Sequence, residues 1–227
     1  MGKGIWLLIS LIFGIGYGLG AGVIPAGALH VLVKMGGVAA LAVYAWRQAA
    51  AETRTIALVL ALCTLGDGLI EFSLIAGALA FFAGHLVACR FYWRERRPGA
   101  AGAALAVPIG ALVVLSDAAF AVSGRFETGI YALGLGAMAG MAWNSRFARS
   151  RVALGAMLFA ASDLLLFARM GVLAHSPLPG LLVWPLYYGG QVLIAVGVVA
   201  DQGRVTAPVL SRVSGAQAIA TASGSTP

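Results

Sequence analysis

Apolar stretches long enough to cross a lipid bilayer constrain this chain more than any other feature of its sequence. A span of the ~30 Å hydrocarbon core takes about 17–25 mostly apolar residues. We find eight such stretches, at about 5–22, 27–46, 55–71, 74–93, 100–118, 128–145, 151–170 and 179–200. The runs are continuous rather than alternating, which predicts helices and not strands.

The composition excludes a soluble domain. Hydrophobic residues make up 61% of the 227 residues, charged residues make up 10%, and the mean hydropathy is +0.94. A soluble globule of this length could not bury that much apolar surface. We therefore predict an all-α integral membrane protein, a bundle of eight transmembrane helices over residues 1–200. The small, polar stretch at 201–227 is predicted to be a disordered cytoplasmic tail.

Basic residues predict the orientation of the bundle. With the N-terminus inside, the inner segments collect twelve of them: Lys3, Arg47, Arg54, Arg90, Arg94, Arg96, Arg97, Arg146, Arg149, Arg151, Arg204 and Arg212. The outer ends hold Arg125 and Arg169, and Asp117 is predicted to lie with Arg125 in or near an outer loop. This bias is typical of a multi-pass protein of the bacterial inner membrane with both termini in the cytoplasm. The basic residues are spread over separate short loops, so the net charge of +7 does not indicate nucleic-acid binding.

Short internal similarities suggest that the bundle consists of two parallel four-helix repeats. "GDGLI" at 66–70 resembles "SDLLL" at 162–166, and "GHLV" at 84–87 resembles "GQVL" at 190–193. Each pair falls on the third and fourth predicted helices of its half. An even number of helices per half makes such repeats parallel.

Two aspartates lie deep inside predicted spans. Asp67 and Asp163 are each twelve residues past the inner start of their span, which is about 18 Å along a helix and slightly beyond the midplane. Glu71 lies one turn further out on the face of Asp67. A carboxylate in a span is costly unless it is paired, neutralised or hydrated, so these residues predict a functional site. The simpler alternative is structural, with either aspartate paired with Lys34 or capped by neighbouring hydroxyl groups.

Other polar residues fall at similar depths. His85 and Gln191 are predicted about midway along the fourth and eighth spans, and Tyr187 shares the face of Gln191. Lys34 and Tyr131 lie in the outer halves of the second and sixth spans. Polar groups thus concentrate between the midplane and the outer surface, which predicts a cavity that opens outward or sideways into the outer leaflet.

Known motifs narrow the chemistry. The chain contains no P-loop, GxSxG or HExxH sequence. "TLGD" at 64–67 departs from the Gly-x-Gly-Asp of intramembrane aspartyl proteases, because Thr64 stands where the first Gly would be. A proton-coupled membrane transporter is the main alternative to an enzyme, since buried acids, a lysine and a repeat also fit that class.

The motifs resemble those of the YhhN family of lysoplasmalogenases. The resemblance rests on Lys34 in "HVLVKMGG", on "LGDGL" and "FSLIAGALAFFAGH", on Tyr131, and on "GAMLFAASDLLL" and "LYYGGQVLI". Their order and spacing cover about residues 5–200. Met35 is a departure, because the family often has Pro at this position.

The resemblance implies hydrolysis of the vinyl ether bond of a lysoplasmalogen. The products would be a fatty aldehyde and glycerophosphoethanolamine or glycerophosphocholine, and neither a cofactor nor a metal would be needed. Besides the surrounding membrane lipids, the implied partner is therefore the lysophospholipid substrate.

The resemblance, together with the depth of each residue in its predicted span, implies the following residue roles. Asp67 and Asp163 would be the catalytic acid and base, in either order, since two carboxyl groups in a site of low dielectric favour opposite protonation states. Lys34 would meet the phosphate. The expected substrate-binding or orienting residues are Glu71, His85, Tyr131, Tyr187 and Gln191.

Overall fold

A computed structural model of the chain describes residues 4–20, 22–97 and 103–202. These residues form eight α-helices: α1 (Ile5–Gly20), α2 (Ala28–Gln48), α3 (Thr55–Leu69), α4 (Leu74–Arg94), α5 (Ala103–Ser123), α6 (Phe126–Asn144), α7 (Leu154–Ala168) and α8 (Leu178–Asp201). A π-helical turn at Arg149–Ala153 leads into α7. The described residues contain no β-strand, and their one β-bridge joins Arg96 to Ser145.

Five helical segments are long and apolar enough to cross a membrane: Ala28–Gln48, Leu74–Arg94, Leu105–Ser123, Arg149–Ala168 and Leu178–Asp201. Helices α1 and α3 are also apolar but have only 16 and 15 residues. At 1.5 Å per residue they are shorter than the ~30 Å hydrocarbon core. The all-α, multi-pass character predicted from the sequence is confirmed. The count of eight spans and the cytoplasmic termini stay predictions.

Two helix ends that position acidic residues differ from the predicted bounds. Helix α3 ends at Leu69, so Glu71 lies in the turn that follows and not on the helical face of Asp67. The turn is short because Ser73 already caps α4, where its hydroxyl accepts a hydrogen bond from the amide of Ala76 at 3.3 Å. Helix α5 continues to Ser123, which places Asp117 inside a helix and not in an outer loop.

The end of α8 is packed against neighbouring loops. Asp201 is buried and accepts hydrogen bonds from the amide of Ala148 at 2.7 Å and from Arg151 at 3.2 Å. Gln202 accepts a hydrogen bond from the amide of Ala50 at 2.6 Å. The rest of the tail predicted to be disordered, 203–227, lies outside the described residues.

Four antiparallel helix pairs, α1–α2, α3–α4, α5–α6 and α7–α8, form the bundle. Contacts of α4 with α6 and of α8 with α2 join the two halves, as a parallel repeat would require. Helix α1 also contacts α8, whereas α5 and α4 make no matching contact within the described residues. The predicted repeat is therefore only partly reflected in the helix packing.

Glycines let paired helices approach closely where the site is built. Gly155 of α7 faces Gly190 of α8, and a Cβ atom added to either would lie 2.6 Å from the carbonyl oxygen of the other. Small residues at such crossings are typical of membrane helix pairs. This crossing lies about two turns from Asp163 and one turn from Tyr187, so it sets how α7 and α8 present these side chains.

The half of the bundle that contains the inner helix ends, in the predicted orientation, has a dry apolar core. Its largest fully buried side chains include Leu41, Ile56, Leu60, Tyr92, Leu135, Met138, Phe147, Val152 and Val198. A Glu95–Arg146 ion pair lies beside this core and links the end of α4 to the loop after α6. Asp67 and Asp163 lie nearer the other ends of α3 and α7, in the opposite half.

Helices α5 and α6 provide a test of this packing. A Cβ atom at Gly136 would lie 2.5 Å from the Cα atom of Leu112, so the backbones must move apart in Gly136→Ala. Overpacking of this kind typically costs 1–3 kcal/mol, which we expect to lower the midpoint of thermal unfolding in detergent by several degrees. Gly110→Ala on α5 is the matched control, because no atom lies within 4 Å of its added Cβ. An equal midpoint for both variants would contradict the close α5–α6 crossing.

Candidate active site

Asp67 of α3 and Asp163 of α7 line one cleft of about 120 Å³ between the helices. Their side chains are buried, with exposed fractions of 3% and 8%. The cleft brings them together with three other residues singled out in the sequence: Lys34, Tyr131 and Tyr187. Two carboxyl groups that line one apolar cleft can serve as a general acid and a general base.

Each aspartate is held by its own tyrosine. The hydroxyl of Tyr187 donates a hydrogen bond to Oδ2 of Asp67 at 2.8 Å, and the hydroxyl of Tyr131 donates one to Oδ2 of Asp163 at 2.9 Å. These bonds tie α8 to α3 and α6 to α7. Within the described residues, Oδ1 of each aspartate has no hydrogen-bonding partner. One oxygen of each carboxyl group is thus fixed, and the other is left for a ligand or water.

His85 of α4 acts on Asp163 through Tyr131. Its Nε2 atom lies 3.0 Å from the Tyr131 hydroxyl oxygen. Because that hydroxyl gives its proton to Asp163, we assign the proton of this contact to the histidine ring, which donates to the tyrosine oxygen. His85 is buried against Phe159, with ring centroids 5.3 Å apart, and it does not line the cleft. The chain His85–Tyr131–Asp163 therefore orients the carboxyl group from behind.

Lys34 forms an ion pair at the edge of the cleft. Its Nζ atom lies 2.6 Å from Oε1 of Glu71, and the side chains are 14% and 31% exposed. Neither Asp67 nor Asp163 lies within ion-pair distance of Lys34. A direct ion pair of Lys34 with a buried aspartate is therefore wrong, whereas the tyrosine hydrogen bonds to Asp67 and Asp163 fit the other structural alternative, capping by hydroxyl groups. Glu71 contributes from the turn after α3, which gives it access to a lysine on the neighbouring helix.

Gln191 lies outside the cleft that holds the two aspartates. It is buried and, with His85, lines a separate cavity of about 10 Å³, which has room for roughly one water molecule. Among the described residues, its Nε2 atom has no hydrogen-bonding partner. Gln191 lies one turn along α8 from Tyr187, and its side chain is close enough to interact with the Tyr187 hydroxyl. Gln191 can therefore act on Asp67 only through Tyr187, and its orienting role stays a prediction.

Two further side chains shape the cleft without having been singled out in the sequence. Ser162 precedes Asp163, and its hydroxyl donates to the carbonyl of Val183 at 2.9 Å, which links α7 to α8. Trp184 lies one turn before Tyr187, and its Nε1 donates to the carbonyl of Gly14 at 2.8 Å, which links α8 to α1. In the sequence, the only feature that could have identified Ser162 and Trp184 as cleft residues is that each lies close to a predicted site residue.

The acidic and imidazole side chains of the bundle are too dispersed for a metal site. Among the described residues, no group of three or more His, Cys, Asp or Glu side chains is placed to hold a metal ion. The side chains available for chemistry in the cleft are thus two carboxyl groups, two phenols, one ammonium group and one serine hydroxyl that is already bonded to the backbone.

Comparison with known proteins bears on the identity of the chain. No curated protein and no solved structure matches it. The model of the YhhN family matches residues 29–198, about three quarters of the sequence. The matched region begins in α2 and extends into α8, so it includes both aspartates, both tyrosines and the Lys34–Glu71 pair. The chain therefore belongs to the YhhN family.

Proposed function

We propose that this protein is a lysoplasmalogenase, a membrane hydrolase that cleaves the vinyl ether bond of a single-chain ether phospholipid. One observation carries the proposal: two buried carboxyl groups, each fixed by one tyrosine, line a single cleft inside an apolar helix bundle. Membership in the YhhN family, which the motifs had suggested, supports the same reaction class.

The reaction begins with proton transfer to carbon. One aspartate, in its protonated form, gives its proton to the vinyl carbon that is farther from the ether oxygen. Positive charge then develops on the other vinyl carbon and on the ether oxygen. The second aspartate, in its ionised form, stabilises that charge, and a low-dielectric site strengthens the attraction.

Water completes the reaction. The ionised aspartate takes a proton from a water molecule as the water oxygen adds to the positively charged carbon. The resulting hemiacetal then collapses. The second aspartate gives the proton that it took from water to the glyceryl oxygen as the bond from this carbon to that oxygen breaks, and the hemiacetal hydroxyl gives its proton to the first aspartate as the carbonyl forms. A fatty aldehyde and a glycerophospho-alcohol leave. Both aspartates return to their starting protonation states, so no oxidant, reductant or cofactor is consumed.

The tyrosines position the two acids for these steps. Tyr187 and Tyr131 hold Oδ2 of Asp67 and of Asp163, which leaves Oδ1 of each to exchange protons with substrate or water. His85 fixes Tyr131 in turn, at 3.0 Å. Catalytic groups must be held close to productive geometry, and hydrogen bonds from behind the reacting groups provide this.

The ion pair at the cleft edge suits a zwitterionic head group. Lys34 would contact the phosphate, and Glu71 would contact the ammonium group of ethanolamine or choline. The ion pair between Lys34 and Glu71, at 2.6 Å, would be replaced by two ion pairs with the lipid, one for each side chain. Because both side chains are partly exposed, this exchange does not strand a buried charge.

The first test removes the ability of each aspartate to exchange a proton. Asp67→Asn and Asp163→Asn keep the side-chain shape, and each should lower aldehyde release from a lysoplasmalogen by about 10²–10⁴-fold, the usual worth of a positioned acid or base. The double variant should be scarcely slower than the slower single variant, because members of one catalytic unit are not additive. Aldehyde is measured with purified protein in detergent or proteoliposomes.

Two controls sharpen this test. Asp117→Asn changes an exposed aspartate of α5 outside the cleft and should leave the rate unchanged. A lysophospholipid with a saturated ether should bind and stay intact, because it has no double bond to protonate. The proton-coupled carrier would replace the hydrolase if wild-type protein released no aldehyde yet moved a labelled solute into proteoliposomes, with both Asn variants blocking that movement.

A second test addresses the head group. Lys34→Met should raise KM more than it lowers kcat, since a phosphate contact is shared by the ground and transition states. The double variant Lys34→Met/Glu71→Gln removes the unpaired Glu71 charge as well. If Lys34 itself binds the phosphate, KM should be higher in the double variant than in Glu71→Gln alone, which loses the same ammonium contact. Recovery of the wild-type KM would instead assign the effect to repulsion by Glu71 and remove Lys34 from this role.

A further inference from the structure

A second, larger cavity lies beside the candidate active site. It is a groove of about 810 Å³ between α4, α6 and the outer end of α7. This volume lies within the range of small-molecule binding sites, roughly 300–1,000 Å³. The residues that line it are Ser73, Leu74, Ile75, Ala78, Leu79, Phe82, Arg125, Glu127, Thr128, Ile130, Tyr131, Phe167 and Met170. We refer to it as the α4–α6 groove.

The α4–α6 groove is apolar in depth and charged only at its rim. One face of α4 supplies aliphatic and aromatic side chains from Leu74 to Phe82. The charges belong to Arg125 and Glu127, which form an exposed ion pair at 3.2 Å at the start of α6. A ligand that fills such a groove must be a hydrocarbon for most of its length, since no charged or amide partner lies deeper among the lining residues.

The α4–α6 groove adjoins the catalytic cleft. Four residues line both: Leu74, Ala78, Tyr131 and Phe167. Tyr131 is the residue that donates a hydrogen bond to Asp163 at 2.9 Å. Tyr131 therefore lines the groove and also contacts Asp163, one of the two proposed catalytic residues.

The dimensions and exposure of the groove match a chain in one leaflet of the bilayer. From Leu74 to Phe82 the groove follows nine residues of α4, about 13 Å of helix axis. One leaflet contributes about half of the ~30 Å hydrocarbon core. Ile75 and Leu79 are 73% and 64% exposed, so the groove is open sideways, where a membrane would supply lipid.

From these observations we infer that the α4–α6 groove binds the hydrocarbon chain of the single-chain lipid substrate. The inference rests on the proposed function. The lipid would enter sideways between α4 and α6, with its head group at the Lys34–Glu71 pair and its chain in the groove. The vinyl ether, which lies between head group and chain, would then lie beside the two aspartates. The groove would thus select substrates by chain length.

Substitutions on α4 test this assignment. Leu79 lines the groove but not the cleft, and Leu86 lies two turns further along α4 with 53% of its side chain exposed, lining neither. Leu79→Trp should lower kcat/KM for a long-chain lysoplasmalogen at least tenfold relative to a short-chain one, because about two methylenes excluded from an apolar site cost that much. Leu86→Trp should leave this ratio unchanged. An unchanged ratio in Leu79→Trp would overturn the proposal.

A binding measurement separates this inference from the proposed function. A saturated-ether lysophosphoethanolamine with a diazirine at the end of its chain cannot be hydrolysed, so it reports on binding even if the wild type releases no aldehyde. We expect cross-links on residues 73–82 and 125–131. Unlabelled lysophospholipid should reduce them by competition. They should also be reduced in the Leu79→Trp variant and unchanged in the Leu86→Trp variant. Cross-links spread evenly over the exposed faces of α2 and α5, or insensitive to unlabelled lysophospholipid, would show ordinary contact with bilayer lipid and overturn the assignment.

Discussion

The two aspartate–tyrosine hydrogen bonds are the interactions on which the rest of the site depends. A carboxyl group among apolar helices is costly unless it is bonded, and each bond here comes from a phenol on another helix. The bonds therefore do two things at once. They satisfy the buried acids, and they fix α3 against α8 and α6 against α7, the helices that enclose the cleft.

Close helix packing makes these bonds geometrically accessible. The Gly155–Gly190 crossing brings α7 and α8 into backbone contact, and Ser162 and Trp184 add hydrogen bonds from the cleft walls to the backbones of α8 and α1. The opposite half of the bundle is filled with apolar side chains. The two aspartates thus lie in one cleft, which shares four lining residues with the apolar α4–α6 groove.

Counting residues along helices predicted part of this arrangement. The equal depth expected for Asp67 and Asp163 agrees with their positions in one cleft, because rise per residue is nearly constant in a helix. Glu71 was misplaced on a helix because the end of α3 is decided by the cap at Ser73, only two residues later. Gln191 lies outside the cleft that holds the acids because it is one turn further along α8 than Tyr187.

Other contacts could not be predicted from one sequence. The Lys34–Glu71 pair, the His85–Tyr131 bond and the choice of tyrosine for each aspartate depend on how each helix is rotated about its axis. That rotation is set by tertiary packing, for example by glycines such as Gly190 that touch a neighbouring backbone. The motifs indicated which polar residues belong to a candidate site. The helix packing determines which of these residues contact each other.

The central claim is that a carboxylic acid of this cleft protonates a vinyl carbon. It is tested most directly by running the reaction in D₂O and reducing the released aldehyde at once to the alcohol, so that slow exchange of the aldehyde cannot add label. Mass spectrometry should then find one solvent deuterium on the carbon next to the former carbonyl, in an amount that an aldehyde standard incubated alone does not acquire. Aldehyde that carries no deuterium at that carbon would contradict the account, because the bond would then have broken without protonation of the double bond.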